Sequence, residues 1–183
     1  MERCDWCKGN ELYIKYHDEE WGVPVHDDRV HFEFLVLESM QAGLSWITIL
    51  KKRENFREAF DNFDYEKIAT YDEDKIEELL NNKGIIRNRR KIKAAINNAN
   101  EFIKIIEEFG SFDKYIWKFT NNNRIINYYK EISEVPAKSD LSDTISKDLK
   151  KRGFKFLGSI IIYSYLQAIG IIDDHKDSCY RKK

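Results

Sequence analysis

The chain has 183 residues, 42% hydrophobic, 34% charged and 14% aromatic, with a formal net charge of −1. That length buries a core without disulfides, and the near-neutral total excludes a gross polyanion binder. No apolar run is long enough to span a membrane, MERCDWC does not read as a secretory signal, and three cysteines suit reduced thiols or metal ligands, so a cytoplasmic protein is expected.

WCKGNELYIKYHDEEW carries Trp6, Tyr13, Tyr16 and Trp21, a density that builds either core or a pocket stacking on a flat, electron-poor ring. Residues 27–42, DDRVHFEFLVLESMQA, are apolar nearly all round and predict a buried helix. Glu38 sits in it with Phe34, Leu35, Gln41 and Ala42 as helical neighbours, a costly place for an ionised carboxylate and hence a candidate site. An amphipathic helix follows over 45–60, starting beside Trp46. Residues 72–84 open on acids and reach Gly84, predicting a helix with a glycine stop. A long helix is predicted over 87–110 and a short one over 111–119. Helices over 139–153 and 159–170 are separated only by FKFLG. No alternating run flanked by hairpin turns is present, so the class is all-α.

Charge is uneven. Residues 54–78 hold ten acids against Arg57, Lys67 and Lys75, whereas KGIIRNRRKIK (83–93) holds six basic residues and no acid. KDLKKRGFK (147–155) holds five against Asp148. In KKRGFKFLG (150–158) the glycines allow close backbone approach, and the amides of the following helix offer a phosphate site beside Lys150, Lys151, Arg152 and Lys155. A helix-hairpin-helix that grips a DNA backbone without reading sequence needs those parts.

DHKDSC, read as a helix, sets His175 and Cys179 on one face, half of a tetrahedral zinc site. The other half is Cys4 with Cys7, or one of these with His17, and either choice staples the chain ends together. His26 and His31 have no thiol close in sequence and read as ordinary surface or core residues. A redox role for Cys4 and Cys7 lacks a βαβ context.

In order, MERCDWC, LYIKYHDEEWGVP, LESMQAGLSWITILKKRENFREAF, GIIRNRRKI, LKKRGFKFLGSIIIYSYLQAIGIIDDH and the closing Cys179 resemble the 3-methyladenine DNA glycosylase I family over essentially the whole chain. The resemblance implies a helix-hairpin-helix glycosylase fold with two helical lobes, approximately 32–165 with the hairpin, and 1–31 plus 166–183. It implies structural Zn2+ held by Cys4, His17, His175 and Cys179, with Cys7 free. It assigns Glu38 and Tyr16 to the edge of a flipped base and Trp46 to its face. Trp6, Tyr13 and Trp21 wall the pocket, and Ser164 supports Glu38. Gly43 and Leu44 probe the duplex gap, and Lys151, Arg152, Gly153, Phe154, Lys155 and Gly158 grip phosphate.

The implied activity is hydrolysis of N3-methyladenine from alkylated double-stranded DNA, releasing the free base without strand cleavage. Asp173 and Asp174 directly follow the second hairpin helix, but their place beside His175 suggests a structural role. A monomer is expected. The competing reading is a non-catalytic, zinc-stapled helical module that binds nucleic acid, which gives Glu38 and the aromatics no task.

Overall fold

The computed structural model describes residues 2–182; the outermost residue at each end of the 1–183 unit lies outside them. Among the described residues there are nine α-helices: α1 (Glu11–Glu19), α2 (Asp28–Gln41), α3 (Trp46–Ala59), α4 (Tyr65–Ala69), α5 (Glu73–Asn81), α6 (Arg89–Phe109), α7 (Phe112–Trp117), α8 (Asp140–Lys151) and α9 (Ser159–Ala168). Most open on a short polar side chain that accepts from a first-turn amide: Asn10, Asp27, Asp64, Asp72, Asn88, Ser111 and Ser139. None of these helices is long and apolar enough to cross a membrane.

Helix α2 is the central strut. Every residue from His31 to Met40 is buried, as an all-round apolar sequence demands. It packs against α3, α6, α7 and α9, while α8 lies along α9. Aromatic stacking ties these layers: Phe102 lies 4.2 Å from Phe112 and 5.1 Å from Phe32. His31 is a core histidine, bonded to Tyr165 and Asp113, while His26 is exposed.

Four expectations need correction. Helices α1 and α4 form where none was predicted, and α5 ends at Asn81, three residues before Gly84. Asp174–Cys179 is not helical; Ile172–Asp173 form β2, which pairs in parallel with β1 (Ile125–Ile126), and Cys179 closes a turn onto the Lys176 carbonyl. The basic run 83–93 is partly neutralised, because Arg89 pairs with Glu73 and Glu77 of α5 and Lys93 with Glu73. Its Lys91 is buried and donates to the Met40 and Ala42 carbonyls, capping the end of α2.

The turn between α8 and α9 is latched from α6. Asn98 donates to the Lys155 carbonyl at 2.9 Å and accepts its amide at 2.8 Å, and Asn97 donates to the Gly153 carbonyl. Gly153 has φ +99°, and a side chain there would press on Glu101. Asn98 is buried. Its replacement by Ala strands two backbone groups and should cost about 1–3 kcal/mol in denaturant unfolding.

Candidate functional site

The site is assembled from the ends of α1, α2, α3 and α9. Helix α1 supplies Tyr16, α2 supplies Glu38 and Gln41, α3 begins with Trp46, and α9 supplies Ser164 and Gln167. The first three are clamped together by Arg53 of α3, which reaches Glu33 of α2 at 2.6 Å and Glu20, just past α1, at 2.7 Å. Arg57 also pairs with Glu33. Breaking such a buried cluster leaves an uncompensated charge, so the helix ends hold their relative positions.

Between these ends lies a cavity of about 350 Å³, lined by Trp6, Tyr16, Trp21, Glu38, Gln41, Trp46, Ile132, Val135, Ser164 and Gln167. That volume falls in the range of small-molecule sites. Trp6 is edge-on to Trp21 at 5.1 Å, and Tyr16 lies 5.6 Å from Trp46. Two polar atoms in this apolar surround are buried without a partner, Glu38 Oε2 and Trp46 Nε1. Burial pushes the Glu38 carboxyl up to about 8 and the Tyr16 hydroxyl well above its ordinary value. Unsatisfied buried groups cost free energy, so these two atoms are candidates to bond with what enters the cavity.

Of the residues expected at the pocket, Trp6, Tyr16, Trp21, Glu38, Trp46 and Ser164 line it. Tyr13 does not. It stands edge-on to Trp6 at 5.5 Å, and its hydroxyl accepts the Ile47 amide at 2.9 Å. It thus caps α3, where Ser45 makes no cap and bonds Thr48 instead. Sequence reasoning missed Gln41, Ile132, Val135 and Gln167. Gln167 had a readable signal: it lies three residues after Ser164 on the same helix face. Asp173 and Asp174 are buried and are not among the lining residues.

Gly43 and Leu44 project between α2 and α3, with Leu44 40% exposed and open space around Gly43. In the α8–α9 turn Gly153, Lys151, Lys155 and Gly158 are exposed, and no acid among the described residues lies within ion-pair distance of Lys150, Lys151 or Lys155. Phe154 and Arg152 depart from expectation. Phe154 is buried as an anchor of the turn, and Arg152 is engaged by Glu108 and Asp148 while stacked on Phe109 and Tyr115. Neither is free to grip phosphate.

At the joined chain ends, Cys4, His17 and Cys179 bring one donor atom each within 4.8 Å of one another, a set that could hold a metal ion. Cys179 Sγ lies 3.4 Å from His17 Nε2. The His175 ring is 5.0 Å from that of His17, and its Nε2 is buried with no partner. Outer carboxylates hold both rings by Nδ1, Asp18 on His17 and Asp173 on His175, each at 2.8 Å. Such a carboxylate on Nδ1 is the usual outer support of a metal-binding imidazole; it leaves His17 Nε2 facing Cys179, whereas His175 lies outside the set formed by Cys4, His17 and Cys179. Arg3 grips Asp18 and holds its carboxyl far below the usual range. Cys7 stands apart, with Sγ donating to the Cys4 carbonyl. Gly22, at φ +74°, leaves room for the His175 ring; a Cβ there would lie 2.8 Å from it.

The methyladenine glycosylase family model matches residues 6–182. The chain belongs to this family. Similarity to curated relatives extends over nearly the full chain: it is 47% identical to DNA-3-methyladenine glycosylase 1 of Escherichia coli, covering 98% of this chain and 96% of that protein. It is 44% identical to DNA-3-methyladenine glycosylase of Haemophilus influenzae, covering 97% and 96%. Among solved structures it superposes with TM-score 0.96 on Staphylococcus aureus 3-methyladenine DNA glycosylase I, at 39% identity, covering 100% of this chain and 97% of that one; that structure concerns 3-methyladenine recognition. Within a methyladenine glycosylase, a cavity walled by tryptophans around one protonatable carboxyl is the natural candidate for the base site.

Proposed function

We propose that the protein is a DNA-3-methyladenine glycosylase that takes the alkylated base out of duplex DNA and hydrolyses its bond to deoxyribose, leaving an abasic site. The observation that carries the reading is Glu38, a buried carboxyl with an unpartnered oxygen in an aromatic cavity.

Alkylation at N3 makes adenine cationic and weakens its glycosidic bond, so strong acid catalysis is unnecessary. A damaged base also costs less to unstack. The cavity then has to favour a charged purine over neutral adenine. Cation–π attraction from Trp46 and its neighbours contributes about 0.5–2 kcal/mol. A charge-assisted hydrogen bond to Glu38 adds about 1.5–3 kcal/mol. Together these give selectivity of some hundreds-fold, at roughly tenfold per 1.4 kcal/mol. Tyr16 donates to the base edge, and Ser164 supports Glu38. Leu44, held out by the Lys91-capped end of α2, fills the gap left in the duplex. The exposed amides and lysines of the α8–α9 turn hold phosphate without reading sequence. Among the described residues no lysine lines the cavity, which supports hydrolysis without strand cleavage as part of this reading.

We further propose Zn2+ at Cys4, His17, Cys179 and His175. Two thiols and two imidazoles match its preferred donors. Burial, with the neighbouring Cys179 adding to it, pushes the Cys4 thiol up to about 12, and a divalent cation supplies the charge that a thiolate needs there. Four protein ligands leave the metal no open position, so its role is structural.

Incubation with methylated duplex DNA should release free 3-methyladenine and leave alkali-sensitive sites, with no release from unmodified DNA. A non-catalytic binding module would retain the DNA and release nothing.

A further inference from the structure

Gln167 is half-buried on α9 and lines the cavity. Its carboxamide is held from behind: Nε2 donates to Asp174 Oδ2 at 2.7 Å. Asp174 is itself fixed, because Tyr163 donates to the same oxygen at 2.7 Å and Asn127 donates to Oδ1 at 2.8 Å. Tyr163 and Gln167 are four residues apart on α9 and so straddle the carboxylate from one helix face. A glutamine amide has one donor end and one acceptor end. With one amide N–H given to Asp174, the acceptor Oε1 takes no hydrogen bond among the described residues, and the side chain that carries it lines the cavity.

We propose that Gln167 Oε1 is a specificity-determining acceptor for the exocyclic amine of the alkylated purine, and that Asp174 is the positioning residue that fixes its direction. This rests on the glycosylase reading of the cavity. A purine bearing an amino group has an N–H to offer a carbonyl oxygen, whereas one bearing an oxo group at the same place meets it oxygen to oxygen. The carboxamide therefore discriminates at an edge that the tryptophans, which contact only ring faces, cannot read. The second carboxylate after α9 acquires a function as well: it acts through Gln167 and does not touch substrate.

The test titrates free bases into the full-length protein, read by quenching of the cavity tryptophans. Gln167→Met should weaken 3-methyladenine binding about five- to tenfold, the size of one neutral hydrogen bond. Affinity for 3-methylpurine, the same ring without the amine, should change less than twofold. Asp174→Asn, whose amide no longer dictates which way Gln167 turns, should show the same amine-dependent loss to a smaller degree. Equal loss for both bases, or no loss for either, in Gln167→Met overturns the inference while the glycosylase reading stands. Failure of the wild-type protein to bind 3-methyladenine at all overturns that reading and this inference with it.

Discussion

Replacing Glu38 with Gln should slow excision roughly ten- to a hundredfold, the loss of one charge-assisted hydrogen bond, and should also make the protein more stable at neutral and alkaline pH. Both effects follow from the same burial. With its carboxyl raised from 4.5 to about 8, Glu38 keeps its proton in the folded state while the unfolded chain loses it. Folded protein therefore binds more protons between these values, and stability falls as pH rises from about 4.5 to 8, then levels. The Gln variant lacks this loss, so its advantage grows through that window to as much as about 4–5 kcal/mol. Thermal unfolding at pH 5 and pH 8 measures the difference. Excision has the opposite slope. The N3-alkylated nucleotide is a permanent cation, so productive binding requires Glu38 to release its proton. Single-turnover excision at limiting enzyme should then climb by up to about tenfold per pH unit towards pH 8 in the wild type and stay flat in the variant. Wild-type rates in Glu38→Gln, or parallel stability curves, would remove Glu38 from the base site.

The readable and unreadable parts of this molecule divide by the distance over which their causes act. Helix α2 was legible because an all-round apolar sequence has one comfortable place, and the helix starts were legible because a capping side chain acts within three residues. The aromatic segment around Tyr13 and Tyr16 gave residue types suited to a pocket wall but no visible helix, since its charged residues interrupt the apolar face. Asp174–Cys179 misled because ligands four apart fit a helix. The chain is instead irregular there, following the short strand Ile172–Asp173, which pairs with β1 from almost fifty residues earlier. Charge runs misled for a similar reason: the partners of Arg89 and Lys93 lie on α5, and those of Arg152 on α6 and α8. The place of Gln167 on the Ser164 face was readable, but its role was not, because a neutral amide becomes informative only once Asp174 holds one of its ends.

Cys179→Ser should remove one zinc per chain and lower the midpoint of thermal unfolding by ten degrees or more, on the order of several kcal/mol for a structural metal. Other contacts join the chain ends: Tyr180 donates its amide to the Glu2 carbonyl, and Lys176 pairs with Glu2 and Asp5. These side chains are solvent-screened and cannot replace a buried metal. The loss should also reach the cavity. His17 lies 5.5 Å from Trp6, and His175 lies 4.5 Å from Trp21. Both tryptophans line the cavity, so freeing the two imidazoles loosens one wall of it. The variant should therefore bind 3-methyladenine more weakly even at temperatures where it remains folded, with tryptophan fluorescence altered before base is added. Metal analysis of the wild type showing no zinc, or a Cys179→Ser protein with unchanged melting, would dismiss the metal. Unchanged base affinity alongside lost zinc would confine the metal to joining the chain ends and separate it from the pocket.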